Sequence, residues 1–176
     1  MNKKIYGLVL ASLFTALIIV GAFIKIPIGA IPITMQTLFV ILAPLLIGRK
    51  AVYSVATYIA IGLIGFPVFT SGGGIGSVMT PTFGFLISFI PVAFVIAMMT
   101  KNRSGFLPFL LATFVGTIII YIFGTIWYFV YTGFSANFLA LISATVLPFI
   151  WGDIAKCLVA TIIATRLKPL IIKTTH

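Results

Sequence analysis

Residues 106–130 read FLPFLLATFVGTIIIYIFGTIWYFV, with no charged side chain anywhere in the run. As a helix rising 1.5 Å per residue, such a stretch is about 37 Å long, enough to cross a hydrocarbon core about 30 Å thick. The rest of the chain has the same character. Of its 176 residues, 62% are hydrophobic and only 7% charged, whereas a soluble domain is about half apolar and a quarter charged. Too few polar groups exist to cover a water-facing surface, so the surrounding solvent is lipid. In lipid every backbone amide must be paired internally, which leaves helices or a closed barrel. Barrel strands would show roughly ten-residue stretches of strict alternation. The apolar runs here are longer and do not alternate, so the fold class expected is an all-α membrane protein, with residues 1–176 forming one integral-membrane domain.

Six spans fit, at residues 5–24, 33–47, 51–66, 82–100, 106–130 and 150–167. Pro27 and Pro32 break the chain after the first, because proline and the residue before it resist helix continuation. The run over 5–24 follows Lys3 and Lys4 like a leader, but it exceeds the 7–15 residues of a signal-peptide core and reads as a span. Residues 131–149 are apolar yet interrupted by Gly133, Ser135, Asn137 and Pro148; they read as a short helix against the bundle rather than a seventh span. Charge tests this topology. With the N-terminus inside, the inner segments hold Lys3, Lys4, Arg49, Lys50, Lys101, Arg103, Arg166, Lys168 and Lys173, and the outer loops hold Lys25 alone. That bias places both termini in the cytoplasm. The net charge of +10 is spread singly and in pairs between apolar runs, so it is topological rather than a nucleic-acid surface.

Asp153, the only acid, lies three residues before Lys156, so on a helix the two share a face. An ionised group at mid-bilayer costs about 2.5–3.5 kcal/mol, so such residues face the bundle or a cavity and mark functional sites. A carboxylate that only accepts, beside an ammonium that only donates, suits a small ligand carrying both donors and acceptors on an apolar body. A structural ion pair is the alternative. Thr34 and Gln36 stand at the outer start of the second span as further polar candidates, and Phe66, Phe69, Phe83, Phe85 and Trp151 as apolar wall. The uncharged loop over 67–81 carries Gly72, Gly73 and Gly74 among apolar residues that want burial; it reads as a lid, with a flexible linker as the alternative. Lys25 is expected to snorkel to lipid phosphates. Ala11, Ser12, Thr15 and Ala16 place small residues four apart on the first span, a pattern that lets helices approach closely. Cys157 has no second cysteine to pair with, and His176 has no companion for a metal. No GxxxxGK[ST] cradle for ATP is present, so energy for uphill import must come from another subunit. A non-transporting scaffold and an intramembrane enzyme are the readings of other classes.

Three ordered blocks carry a family resemblance. The first runs from Ile26-Pro27 to Pro32-Ile33-Thr34-Met35-Gln36-Thr37-Leu38-Phe39-Val40. The second is Gly62-Leu63-Ile64-Gly65-Phe66-Pro67-Val68-Phe69 with the glycine cluster, then Pro81-Thr82 and Gly84. The third is Pro148-Phe149-Ile150-Trp151-Gly152-Asp153-Ile154-Ala155-Lys156. Together they resemble the BioY family, substrate-binding (S) components of energy-coupling factor transporters, over residues 24–169. The resemblance implies a six-helix subunit of the cell membrane that binds biotin near the outer face and has no cofactor of its own. It implies association with a transmembrane coupling protein and two ATP-binding subunits. It also implies that Asp153 and Lys156 are polar ligands, that the loop around Gly73 and Gly74 is the lid, and that the small-residue face of the first span meets the coupling protein. Trp151, Phe83 and Phe85 depart from the family pattern. The choice of biotin over another small vitamin rests on the resemblance alone.

Overall fold

The computed structural model describes residues 3–27 and 30–174; Ile28, Gly29 and His176 lie outside the described residues. The order is α1 (Lys3–Phe23), β1 (Lys25–Ile26), β2 (Ile33–Thr34), α2 (Gln36–Ile47), α3 (Ala51–Ile64), α4 (Phe83–Met99), α5 (Phe106–Tyr131), α6 (Phe138–Thr145) and α7 (Ile150–Thr174). Among the described residues, α1 to α5 and α7 make the bundle, and α6 is the short helix expected between the last two spans. Its N-terminus is capped by Asn137, whose side-chain oxygen accepts from the Ala140 amide at 2.8 Å, satisfying one of the amides a helix start leaves unpaired. From α6 the chain bends by 45° into α7.

The loops explain how the bundle closes. Between α2 and α3 there is only a short 3-10 turn, yet the chain reverses there. Gly48 adopts φ 59° and ψ −139°, a conformation that side chains with a Cβ resist. The reversal is visible from α1: Gly21 abuts Gln36, Thr15 Oγ1 donates to the Ser54 carbonyl at 3.1 Å, and Gly7 abuts Lys50. Thus α2 descends and α3 returns beside α1. The strands β1 and β2 pair antiparallel, Lys25 with Thr34 and Ile26 with Ile33. They form a small hairpin over the end where α2 begins.

Helix lengths differ from the expected spans. α1 and α5 are long and apolar enough to cross a bilayer alone, whereas α2, α3 and α4 have 12, 14 and 17 residues. They stop short because the hairpin and the loop after α3 fill that end of the bundle. The last helix runs past residue 167, the expected end of its span, and Pro169 sits inside α7; Pro44 and Pro91 likewise lie inside α2 and α4. Neighbouring helices let a membrane bundle tolerate the missing amide.

Tyr58, Phe69, Phe89, Phe109, Ile41 and Leu45 are the large side chains at the centre. Leu8, Leu13 and Val20 of α1, and Leu111, Ile118, Ile122 and Ile126 of α5, lie exposed on the outside, as a lipid-facing surface requires. The two ends differ sharply. One end carries Arg49, Lys50, Lys101 and Lys168; there Arg49 Nη2 contacts Met98 Sδ at 2.7 Å and Lys168 Nζ donates to the Thr100 carbonyl at 3.2 Å. The other end carries the hairpin and the loop after α3. Lys25 Nζ donates to the Thr70 carbonyl at 2.7 Å and ties the two loops together.

Candidate functional site

Asp153 falls in the first turn of α7, where the positive end of the helix dipole favours a carboxylate. One turn on, Lys156 reaches back, and its Nζ lies 2.8 Å from Asp153 Oδ1. Both are only 8% exposed. Two further hydroxyls complete the group. Tyr121 of α5 donates to Asp153 Oδ2 at 2.6 Å, and Lys156 donates to Thr37 Oγ1 of α2 at 2.9 Å. Three helices are therefore joined through one buried ion pair. Burial of either charge alone would cost several kcal/mol; mutual pairing and the added hydroxyls offset that cost.

These groups face a cavity of about 60 Å³ beneath the two tied loops. Ile31, Pro32 and Thr34 of the hairpin and Thr70 of the second loop roof it. Phe85, Leu86 and Phe89 of α4, Ile120 of α5 and Phe149 form apolar walls, and Gln36 and Thr37 open α2 into it. Gln36 is 3% exposed, and its side-chain amide is turned to the buried Tyr58 hydroxyl. The space is well under the roughly 300 Å³ at the lower end of small-molecule pockets. Admission of a ligand must move the roof.

Of the residues proposed from sequence, Asp153, Lys156, Gln36, Thr34 and Phe85 meet on this cavity. The others do not. Phe66 and Trp151 are 60% and 80% exposed and turn away from it. Phe69 is buried, but its ring packs edge-on against Tyr58 at 5.3 Å and over Gly62, which anchors the loop on α3. Phe83 packs against Trp127 at 5.5 Å. Gly73 presses its backbone on the Phe66 carbonyl, and the Gly74 amide donates to the Gly62 carbonyl at 2.7 Å. The two glycines hold the turn, while Thr70 is the part of the loop that covers the cavity. Nor do Ala11, Ser12, Thr15 and Ala16 form one face: Ala11 and Thr15 are buried, and Ser12 and Ala16 are exposed. Sequence reasoning missed Tyr121, Thr37 and Thr70. Tyr121 had a signal: a phenol inside a run of Ile and Phe needs a partner for its hydroxyl.

Comparison with known proteins follows the same geometry. The sequence model of the BioY family matches residues 1–173. The chain is 41% identical over 165 residues to the biotin transporter BioY of Thermotoga maritima, covering 93% of this chain and 96% of that one. It is 40% identical over 161 residues to a probable biotin transporter BioY of Pyrococcus horikoshii, covering 90% and 94%. A crystal structure of the S-component for biotin from an ECF-type ABC transporter superposes with a TM-score of 0.86 at 29% identity, over 96% of this chain and 93% of that one.

Proposed function

The chain belongs to the BioY family, and from that premise we propose that it captures biotin in the cavity at Asp153 and Lys156 and mediates its import with an ATP-driven energy-coupling module. The buried pair under the two tied loops is the observation that carries this reading. Its spare bonding capacity fits the ligand. A carboxylate has about four acceptor sites and an ammonium three donors. Asp153 accepts from Tyr121 and Lys156, and Lys156 donates to Asp153 and Thr37. Acceptor sites for ureido N–H groups remain on Asp153, and one donor for the ureido carbonyl remains on Lys156. Gln36 adds a polar side chain on the cavity, and the Phe85, Phe89 and Phe149 walls receive the thioether ring.

Binding opens the roof: the hairpin and the Thr70 loop lift together, because Lys25 ties them, and re-close over the ligand. The cation-rich end faces the cytoplasm by the positive-inside rule, so both termini lie inside and the cavity end faces outward. ATP is hydrolysed by two partner subunits, and the coupling protein docks on the exposed Ser12 and Ala16 side of α1.

The test is equilibrium biotin binding by the purified chain, wild type beside Asp153→Asn, with folding checked on both. Expected is a loss of about 1.5–3 kcal/mol, the scale of a charged hydrogen bond. A folded wild type that binds no biotin would sink the assignment and favour another small vitamin. The self-satisfied pair and the small cavity also permit a purely structural bridge; in that case the substitution lowers the melting temperature and leaves biotin affinity unchanged.

A further inference from the structure

At the end of the bundle opposite Asp153, a second cavity of about 190 Å³ lies between the ends of α2 and α4 and the last turns of α7. Pro44, Gly48, Ala97 and Thr100 line it, and Arg49, Lys101 and Lys168 bring three positive charges to it. No acid answers them, since Asp153 is the only Asp or Glu in the sequence and is paired at the far end. The C-terminal ends of α2 and α4 supply about half a negative charge each, which leaves a net charge of about +2. Lys168 and Arg49 are held without being neutralised, and Lys101 is exposed beside them. Lys168 Nζ rests on the Thr100 carbonyl and lies 4.6 Å from the Phe109 ring centre. The Arg49 guanidinium contacts Met98 Sδ and lies 5.8 Å from the Phe94 ring centre. A carbonyl, a thioether and two rings orient these groups and cancel no charge.

We infer that this cavity binds a phosphate-bearing anion. The planar fork of arginine matches phosphate oxygens in pairs, and lysines add point charges. The cavity, at about 190 Å³, has room for a tetrahedral phosphoryl group. Basic pockets between membrane helices accept anionic lipid headgroups, and a soluble phosphate offers the same chemistry.

The test uses the full-length chain, stripped of lipid in detergent. Native mass spectrometry reads retention of phosphatidylglycerol against phosphatidylcholine, and thermal melting reads inorganic phosphate against chloride at matched ionic strength. Expected is selective retention of one phosphatidylglycerol, lowered at least tenfold by combined Arg49→Gln, Lys101→Gln and Lys168→Gln, with helicity by circular dichroism intact and Lys168→Arg retaining the lipid. Stabilisation by phosphate that the triple variant loses, without lipid selectivity, assigns the same site to a soluble anion. If the triple variant does not fold, the exposed Lys101→Gln alone serves, with about a threefold loss expected. The inference is overturned if the folded variant matches wild type in both assays, or if wild type prefers neither anion over its control.

Discussion

Tyr121 is the residue whose role follows most directly from bond counting. Its hydroxyl is the second donor to Asp153, at 2.6 Å, the other being Lys156. Tyr121→Phe removes the donor and keeps the ring, so the buried carboxylate loses one charge-assisted bond. The expected outcome is a stability loss of about 1.5–3 kcal/mol, read as a lower midpoint in thermal melting, together with weaker biotin binding. Unchanged melting and binding would show that the hydroxyl does nothing for Asp153. Tyr121 also marks where sequence reading fails at this scale. Asp153 and Lys156 were legible because an ionised group in an apolar run has few tolerable environments. Which aromatic side chains turn inward was not, because Phe and Trp are stable against both core and lipid. So Trp151 and Phe66, beside the right motifs, face outward, while Phe85, Phe89 and Phe149 line the cavity.

Between helices, the contact of α4 with α5 depends on missing side chains. A Cβ on Gly84 would overlap Trp127 at its own Cβ, and one on Gly124 would overlap the Phe85 ring. Close approach through small residues is how membrane helices gain packing without a hydrophobic driving force. Gly84→Ala should destabilise by about 1–3 kcal/mol, the usual cost of overpacking, because a Cβ cannot swing aside. Gly124→Ala pushes Phe85, a wall of the cavity, and should weaken biotin binding as well. Gly152, inside α7, meets nothing within 4 Å; Gly152→Ala should stabilise by about 0.5–1 kcal/mol through helix propensity. Melting curves for the three variants check the order, and equal effects would refute the packing account. The elements themselves were largely readable. α5 starts at the expected Phe106 and α7 at Ile150, because Gly105 and Pro148 punctuate the runs before them. The end of α7 was not readable: the helix continues past residue 167 through Pro169, which stands exposed.

Over the whole molecule, charge and polarity sort to opposite ends. Arg49, Lys50, Lys101 and Lys168 gather at one, and the hairpin, the Thr70 loop and the Asp153 cavity occupy the other. The cation bias was legible in the sequence, since it needs only the order of spans. The tie from Lys25 to Thr70 was not, because it joins positions 45 apart through a backbone carbonyl that no side-chain pattern reports. The proposed orientation, with the cavity opening outward, rests on the positive-inside rule. Thiol labelling tests this without reference to any ligand. Cys157 is buried, and Cys157→Ser gives a clean background. In that background Ser71→Cys, beside Thr70, should react with a membrane-impermeant maleimide in intact cells. Asn102→Cys, in the turn after α4, should react only after permeabilisation. The reverse pattern would turn the molecule over and place the cavity on the cytoplasmic side, where a loop that closes over biotin has no role in uptake. Labelling of both positions in intact cells would mean that the two ends are not on opposite sides, and the bundle as a membrane-crossing unit would fail with it.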